Sequence, residues 1–545
     1  MRYSIGLDFG TEAARLVCLD MKTGLEVSCI EEKYPHGVIG EYLCEGEIPL
    51  PSLWALQHPD DYVHVLMKGI PKLLTASQVN PEHVMSIGVD FTSSTVIPTL
   101  ADGTPLCKVE PWDRRPHAWP KLWKHHAAQD IANRFNVILR DLDTRTLSRY
   151  GDNISAEWYF PKLIEIFEED RDVYDACDFL VEATDWIVWI LTGSLKRSSC
   201  AAGYKAFWSP DTGFPDKDVF RRVSPKFLMP FEKIGKQFYP PGTCVGRVRS
   251  SLASQLGLSP NTVVSVGTID AHAAFLGSGI TKPGTMMMVI GTSTCHLTLS
   301  ERDITVPGIS GVLRDGIVPG YYAYEAGQSA VGDMFSWFIN EFLDAKDEGT
   351  SDRAYKFEYL NNLAKDITPG GNGLIALDWW NGNRSILGDL DLSGAIFGLR
   401  LDTKLEQIYR SLLEATAFGA KRILDNFIVN GITVTKLVAS GGIARKNSLL
   451  MQIYADVCQV PIYVPNVEEV SARGAALLGA IAAGYGSSVE LLAERLKPEG
   501  YKIYVPNPRL SSLYYKLYDI YSTLHDVLGI QHSGTLHSLK RNELD

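Results

Sequence analysis

At 545 residues, with 45% hydrophobic and 21% charged residues, the chain is too long for one core and too apolar for disorder, so two globular domains are expected. A net charge of −12 argues against nucleic acid, which is held by clustered Lys and Arg. Nine scattered cysteines without a CxxC pair indicate thiols in a reducing compartment, and no apolar run approaches the roughly 20 residues that cross a bilayer, so the cytoplasm is the expected location.

The first element in the chain is a hairpin. Apolar runs on both sides of Asp8-Phe9-Gly10-Thr11 read as two strands joined by a tight turn. Such a turn aims backbone N–H groups and a hydroxyl into one concavity that suits phosphate, and Asp8 on its rim could hold Mg²⁺. An ordinary hairpin accounts for this stretch equally well. A Pro-rich passage from Glu31 to Pro59 then leads to a helix from about Pro59 to Ala76 and a strand from Val84 to Asp90. That strand ends in Phe91-Thr92-Ser93-Ser94-Thr95, where α/β folds place ligand contacts, a plain Ser/Thr turn being the alternative.

Leu122-Trp123-Lys124-His125-His126 approaches a helix from Ala127 to Phe135, Glu157 lies near the cap of another, and a helix from Ala183 to Leu191 stops at Thr192-Gly193. The stretch Cys200 to Trp208 shows neither helical nor strand period, and its Lys205 is either partly buried or a snorkelling surface lysine. The domain boundary is expected between Pro240–Gly246 and a strand Thr262–Asp270, dividing the chain into residues 1–255 and 256–545. Asp270 closes that strand before a helix from Ala271 to Gly277. It is either a helix N-cap or a catalytic group at the mouth of the sheet, and position alone favours the cap.

The second half repeats the logic of the first, with a strand, a Gly291-Thr292-Ser293-Thr294 turn and a return strand between Thr285 and Leu299. A strand ending at Glu325, a helix from Ala330 to Phe342 and the turn Pro369-Gly370-Gly371-Asn372-Gly373 follow, then a strand from Leu374 to Leu377. After the amphipathic helix Leu405 to Asn426, the strand Lys436 to Ser440 runs into Gly441-Gly442-Ile443-Ala444-Arg445-Lys446-Asn447, whose glycines let a flat base and ribose approach the backbone. Ser471 to Ala480 is a small-residue helix suited to close packing. Neither a Walker-type GxxxxGK[ST] nor a protein-kinase Gly-rich loop is present.

The Asp8–Thr11, Ile290–Thr294 and Gly441–Asn447 motifs and the Ala-rich helix after Arg473 follow the order of the actin-like ATPase superfamily. More narrowly, the chain resembles the FGGY carbohydrate kinases from about Arg2 to about Gly484. Gly88-Val89-Asp90-Phe91-Thr92, Leu122-Trp123-Lys124, Glu157-Trp158, Ala202-Gly203-Tyr204-Lys205, Glu325-Ala326-Gly327-Gln328-Ser329 and Leu377-Asp378-Trp379 are similar to the branch that acts on ribulose. The resemblance implies an α/β fold of two actin-like ATPase (ribonuclease H-like) domains with a nucleotide and sugar cleft between them. It implies ATP-dependent phosphorylation of L-ribulose at the 5-hydroxyl. A kinase for D-ribulose, ribitol or xylulose, or a non-metabolic actin-like ATPase, is the alternative.

Carried over residue by residue, the resemblance makes Asp8 a Mg²⁺-associated carboxylate and has Gly10, Thr11, Arg15, Gly291 and Thr292 cradle the terminal phosphates of ATP. Gly332, Gly441, Gly442 and Asn447 would line the adenosine site. Asp270 matches the general base, against the capping reading, and Ser93, Lys205, Glu325 and Asp270 match positions that contact the sugar. The implied partners are ATP and a small sugar, a homodimer is compatible with them, and neither nucleic acid nor membrane is expected. One position departs from the family: His125 stands where many members carry an aspartate, two residues after Trp123, so a sugar contact there is not carried over.

Overall fold

The computed structural model describes residues 2–44, 46–343, 353–371 and 373–541, so Asn372 of the expected Gly-rich turn lies outside the described residues. Two compact units divide the chain. The first comprises Met1–Thr281, Val312–Ala323 and Val467–Pro498, and the second Lys282–Gly311, Tyr324–Asn466 and Glu499–Asp545. Among the described residues no helix is long and apolar enough to cross a membrane.

In the first unit the strand Tyr3–Phe9 is buried along its whole length, as an almost unbroken apolar run requires when both faces of a sheet are covered. It pairs antiparallel with Ala13–Asp20, which continues to Glu26–Lys33, and parallel with Val84–Phe91. Val263–Ser265 runs parallel to Val84–Phe91, Cys244–Arg247 closes that side antiparallel, and Thr268–Ile269 also pairs with Val84–Phe91. One core joins Ile5, Leu7 and Phe9 to Tyr62, Val65 and Ile70 and to Trp186 and Ile187 of the Ala183–Thr192 helix.

The small-residue helix Val470–Ala482 packs on this sheet at backbone distance. A Cβ on Gly6 would lie 1.6 Å from the carbonyl oxygen of Ala472, and one on Gly88 would lie 1.8 Å from that of Ala475. Only glycine in the strands and alanine or glycine in the helix allow that approach. Arg473, buried in the same helix, donates to the carbonyls of Gly24 and Leu496, which anchors the helix to the segments around it.

These contacts move the expected division at residues 255/256. Val263–Ser265 and Thr268–Ile269 hydrogen-bond to Val84–Phe91, and Val470–Ala482 closes on Gly6 and Gly88, so all three elements belong to the first unit. A boundary drawn from one loop cannot reveal that the chain returns.

The second unit repeats the strand order. Gly284–Ile290 and Thr294–Ser300 form an antiparallel hairpin, Val434–Ser440 lies parallel to Gly284–Ile290, and Ile462–Pro465 lies parallel to Val434–Ser440. Tyr501–Tyr504 closes that side antiparallel, and Tyr322–Gln328 flanks Thr294–Ser300. The long helix Leu405–Val429 packs against Ser448–Cys458.

Several elements differ from expectation. The strand Thr262–Asp270 breaks into Val263–Ser265 and Thr268–Ile269, and Asp270 becomes the first residue of the helix Asp270–Gly277. Cys200 to Trp208 contains a helix, Ser199–Lys205, in which all seven residues are buried, and a helix covered on every side has no amphipathic period to detect. The helix expected at Ala127–Phe135 runs over Gln129–Leu142, and the one near Glu157 begins at Tyr159.

Candidate active site

Three parallel neighbours in the first sheet each deliver a carboxylate at the carboxyl end. Asp8 is in register with Asp90, Thr268 is in register with Asp90, and Asp270 follows immediately after Ile269. Asp90 is fully buried, neither of its carboxylate oxygens finds a hydrogen-bond donor among the described residues, and its polar neighbour is the Asp8 carboxylate. Burial pushes both carboxyls up, and for Asp90 the negative charges of Asp8 and Asp270 add to it. Anionic oxygen donors set side by side suit a hard divalent cation such as Mg²⁺, so the residues present fit that ion. Asp270 accepts the Ala271 N–H at 2.7 Å through Oδ1, a bond at the helix entrance that orients the carboxylate without excluding other chemistry.

The first hairpin turn is held from several sides. Gly10 N–H donates to Ala13 O at 3.0 Å, the Tyr34 hydroxyl donates to Gly10 O at 3.0 Å, and Gln57 Nε2 donates to Thr11 O at 2.7 Å. Trp123 Nε1 donates to the Thr11 hydroxyl at 3.1 Å. Arg15 pairs with Glu31 at 3.0 Å and Glu469 at 3.4 Å, so its guanidinium lies among carboxylates beside the turn.

Ser93 sits in a turn whose neighbour Ser94 has φ +58°, a left-handed conformation uncommon for serine. Lys162, fully buried, holds that turn by donating to Ser94 O at 2.7 Å and to Leu122 O at 2.8 Å. Burial lowers its ammonium to about 7. Lys205 ends the buried helix Ser199–Lys205, with its ammonium 6.0 Å from the ring centroids of Trp158 and Tyr204; it is a buried lysine, not a snorkelling one.

His125 belongs to a closed ionic cluster. Glu165 accepts from Lys121 at 3.0 Å and contacts His125 Nε2 at 3.0 Å, all three side chains are fully buried, and the Lys121 ammonium lies 4.0 Å from the Trp54 ring centroid. Burial, with Lys121 beside it, holds His125 down to about 3, so the ring is neutral. The departure from the family motif thus serves the interior. Lys162 and Glu165 both project from the helix Tyr159–Glu169, which ties together the segments carrying Ser94 and Trp123.

In the second unit the Gly291–Thr292 turn, Gly332 and Gly441 converge. Gly332 N–H donates to Gly291 O at 3.1 Å and Val331 N–H to Thr292 O at 2.8 Å. A Cβ on Gly332 would meet Gly291 O at 2.6 Å, and one on Gly441, whose φ is +96°, would meet Ile290 O at 2.3 Å. Gly442 opens the helix Gly442–Lys446, and a Cβ there would meet nothing within 4 Å. Asn447 caps the helix Ser448–Cys458 by accepting from Leu450 N–H and donates to Asn361 at 3.2 Å. Glu325 is buried in Tyr322–Gln328. Three residues on, Gln328 donates to Asp378 at 2.7 Å, Tyr521 donates to the other Asp378 oxygen at 2.9 Å, and His296 contacts Gln328 at 3.1 Å. The Glu325–Ser329 and Leu377–Trp379 motifs are therefore joined by a buried polar network.

Sequence reasoning missed Asp90, Trp123 and Gln57 as members of this arrangement. A signal for Asp90 was present: Ile5-Gly6-Leu7-Asp8-Phe9 recurs as Ile87-Gly88-Val89-Asp90-Phe91. Nothing in the sequence brings Trp123 and Gln57 to Thr11, because those contacts span 112 and 46 residues.

Models of the FGGY family of carbohydrate kinases match the chain, the N-terminal domain over residues 3–277 and the C-terminal domain over residues 286–483. A ribulokinase of Anoxybacillus flavithermus is 45% identical over 549 residues, covering 99% of this chain and 97% of the relative. One from Staphylococcus aureus is 40% identical over 545 residues and covers 99% of each. The fold is similar to a crystal structure of xylulose kinase from Rhodospirillum rubrum, at TM-score 0.78 and 21% identity over 98% of this chain and all of that one. It is also similar to Plasmodium falciparum glycerol kinase with ADP, at TM-score 0.74 and 17% identity over 96% and 98% of the two chains. With both domain models matched in order and full-length relatives at 40–45% identity, the chain belongs to the FGGY family of carbohydrate kinases.

Proposed function

We propose that the chain phosphorylates L-ribulose at its 5-hydroxyl, with ATP as donor. The observation that carries this reading is the 45% identity to a ribulokinase across 99% of the chain. The cluster of carboxylates at the strand ends supports it. Phosphoryl transfer asks the protein mainly for positioning and charge stabilisation. Gly10, Thr11, Arg15, Gly291 and Thr292 serve the terminal phosphates, and Gly332, Gly441, Gly442 and Asn447 serve the adenosine. Ser93, Lys205 and Glu325 read the sugar hydroxyls. Asp270 accepts the proton of the attacking hydroxyl, which is a poor nucleophile until that proton leaves. Mg²⁺ held at Asp8 would offset negative charge on the phosphates. Nine free cysteines are consistent with work in the cytoplasm.

Asp270→Asn tests the assignment. The variant keeps the size and the bond to Ala271 N–H, so it should fold and bind nucleotide while kcat falls by about 10²–10⁴. Near-normal phosphorylation by the folded variant would overturn the role of Asp270. Steady-state kcat/KM over L-ribulose, D-ribulose, xylulose and ribitol tests the substrate, and a preference for any of the last three would replace L-ribulose.

A further inference from the structure

We propose that Asp90 is the second carboxylate of a divalent-cation site, holding Mg²⁺ jointly with Asp8; this rests on the nucleotide-site reading of Asp8 above. The same five-residue pattern occurs at residues 5–9 and 87–91. Four of its five positions have a packing reason in both strands. Ile5 and Ile87, Leu7 and Val89, and Phe9 and Phe91 fill one core, with the two phenyl rings stacked 5.1 Å apart. Gly6 and Gly88 admit the helix Val470–Ala482. The remaining position is aspartate in both, and a buried carboxylate without a partner opposes folding.

Asp8 and Asp90 are register partners on adjacent parallel strands. Asp90 is fully buried with both oxygens lacking a donor among the described residues, and Asp8 is 6% exposed. Two hydrogen-bond acceptors facing each other need a positive species between them. The charges acting most strongly on Asp90, those of Asp8, Asp270 and Glu469, are all negative. The neighbouring guanidinium of Arg15 is already paired with Glu31 and Glu469. The missing partner is then a proton or a metal ion, and an all-oxygen, doubly anionic donor pair at the end of strands beside a phosphate-type turn matches a hard dication. A shared proton is the competing outcome, and it predicts no dependence on metal.

The test uses the full-length protein with ADP and Mn²⁺, free Mn²⁺ being followed by electron paramagnetic resonance. Wild type should take up Mn²⁺ in the presence of ADP, Asp90→Asn should bind it at least 10-fold more weakly, and ADP affinity in EDTA should change less than 2-fold. Equal Mn²⁺ affinity in wild type and Asp90→Asn would overturn the second ligand while leaving Asp8 its role. Absence of Mn²⁺ uptake by wild type would overturn the underlying reading as well. If Asp90→Asn does not fold, Asp90→Ser is read in the same assay, together with the Tm increase that Mn²⁺ and ADP should give wild type and withhold from the variant.

Discussion

The indole N–H of Trp123 donates to the hydroxyl of Thr11 across 112 residues of chain, at 3.1 Å. This bond, with that from Gln57 to the Thr11 carbonyl, sets the orientation of a turn that we propose serves the phosphates of ATP. A neutral hydrogen bond of this kind contributes about 0.5–1.5 kcal/mol. Trp123→Phe should therefore raise the KM for ATP by roughly 2- to 10-fold. Thr11→Val removes the same bond from the other side, so the two changes should be non-additive in a double-mutant cycle. Strict additivity would show that the bond does not position the turn.

Lys162 supplies two bonds to main-chain carbonyls, those of Ser94 and Leu122, from a fully buried ammonium. Lys162→Met leaves the Ser94 carbonyl without a donor, at a cost of about 1–3 kcal/mol, while the Leu122 carbonyl keeps the His125 N–H at 3.0 Å. Loosening of the turn that carries Ser93 should lower kcat/KM for the sugar by about 10-fold or more, with a smaller change in KM for ATP at saturating sugar. A folded variant with an unaltered sugar kcat/KM would sink the claim that Lys162 shapes the sugar-binding turn.

Acid should weaken the Lys121–His125–Glu165 cluster. The His125 ring is held down to about 3, well below the ordinary imidazole value near 6.5, chiefly by burial and then by Lys121. A depressed folded value means stability that is present above pH 6.5 and lost as pH falls toward 3. Its contribution to the slope is at most about 1.4 kcal/mol per pH unit. Glu165 is also lowered, by Lys121 and His125 against the opposing effect of burial, and its contribution has the same sign. Urea unfolding of wild type and His125→Gln between pH 7 and pH 4 should show a shallower decline in the variant. Parallel slopes would mean that His125 is not the group taking up the proton.

Breaking the cluster at its anion should be more severe. Glu165→Gln leaves the Lys121 ammonium buried without its carboxylate, and removing one partner of a buried pair costs about 3–5 kcal/mol. Thermal unfolding should register a large drop in Tm. A drop no larger than that of a surface ion pair, below about 1 kcal/mol, would contradict the burial of this pair.

Gly88→Ala tests the contact between sheet and helix. The new methyl would lie 1.8 Å from Ala475 O, a backbone atom that a rotamer change cannot move. The strand or the helix Val470–Ala482 must shift, at the upper end of the 1–3 kcal/mol typical of overpacking or beyond it. Gly442→Ala is the control, since a Cβ there meets nothing within 4 Å, and its stability should be nearly unchanged.

Local pattern alone determined the two hairpin turns, the long helix expected over Leu405–Asn426 and found at Leu405–Val429, and the Ala-rich helix after Arg473, because each depends on residues adjacent in the chain. The motif order identified the family for the same reason. The buried helix Ser199–Lys205 escaped because periodicity reports a difference between faces, and all of its faces are covered. Residues such as His125 and Asp90 were visible as letters, but their surroundings were not. Whether a histidine after Trp123 meets a sugar or a buried glutamate depends on which helix folds over it, and Glu165 lies 40 residues away. The return of Val470–Ala482 to the first sheet, the pairing of Asp8 with Asp90 and the bond from Trp123 to Thr11 are likewise long-range contacts. Tertiary packing decided them, because the free energy of burial is shared among segments that the linear chain keeps apart.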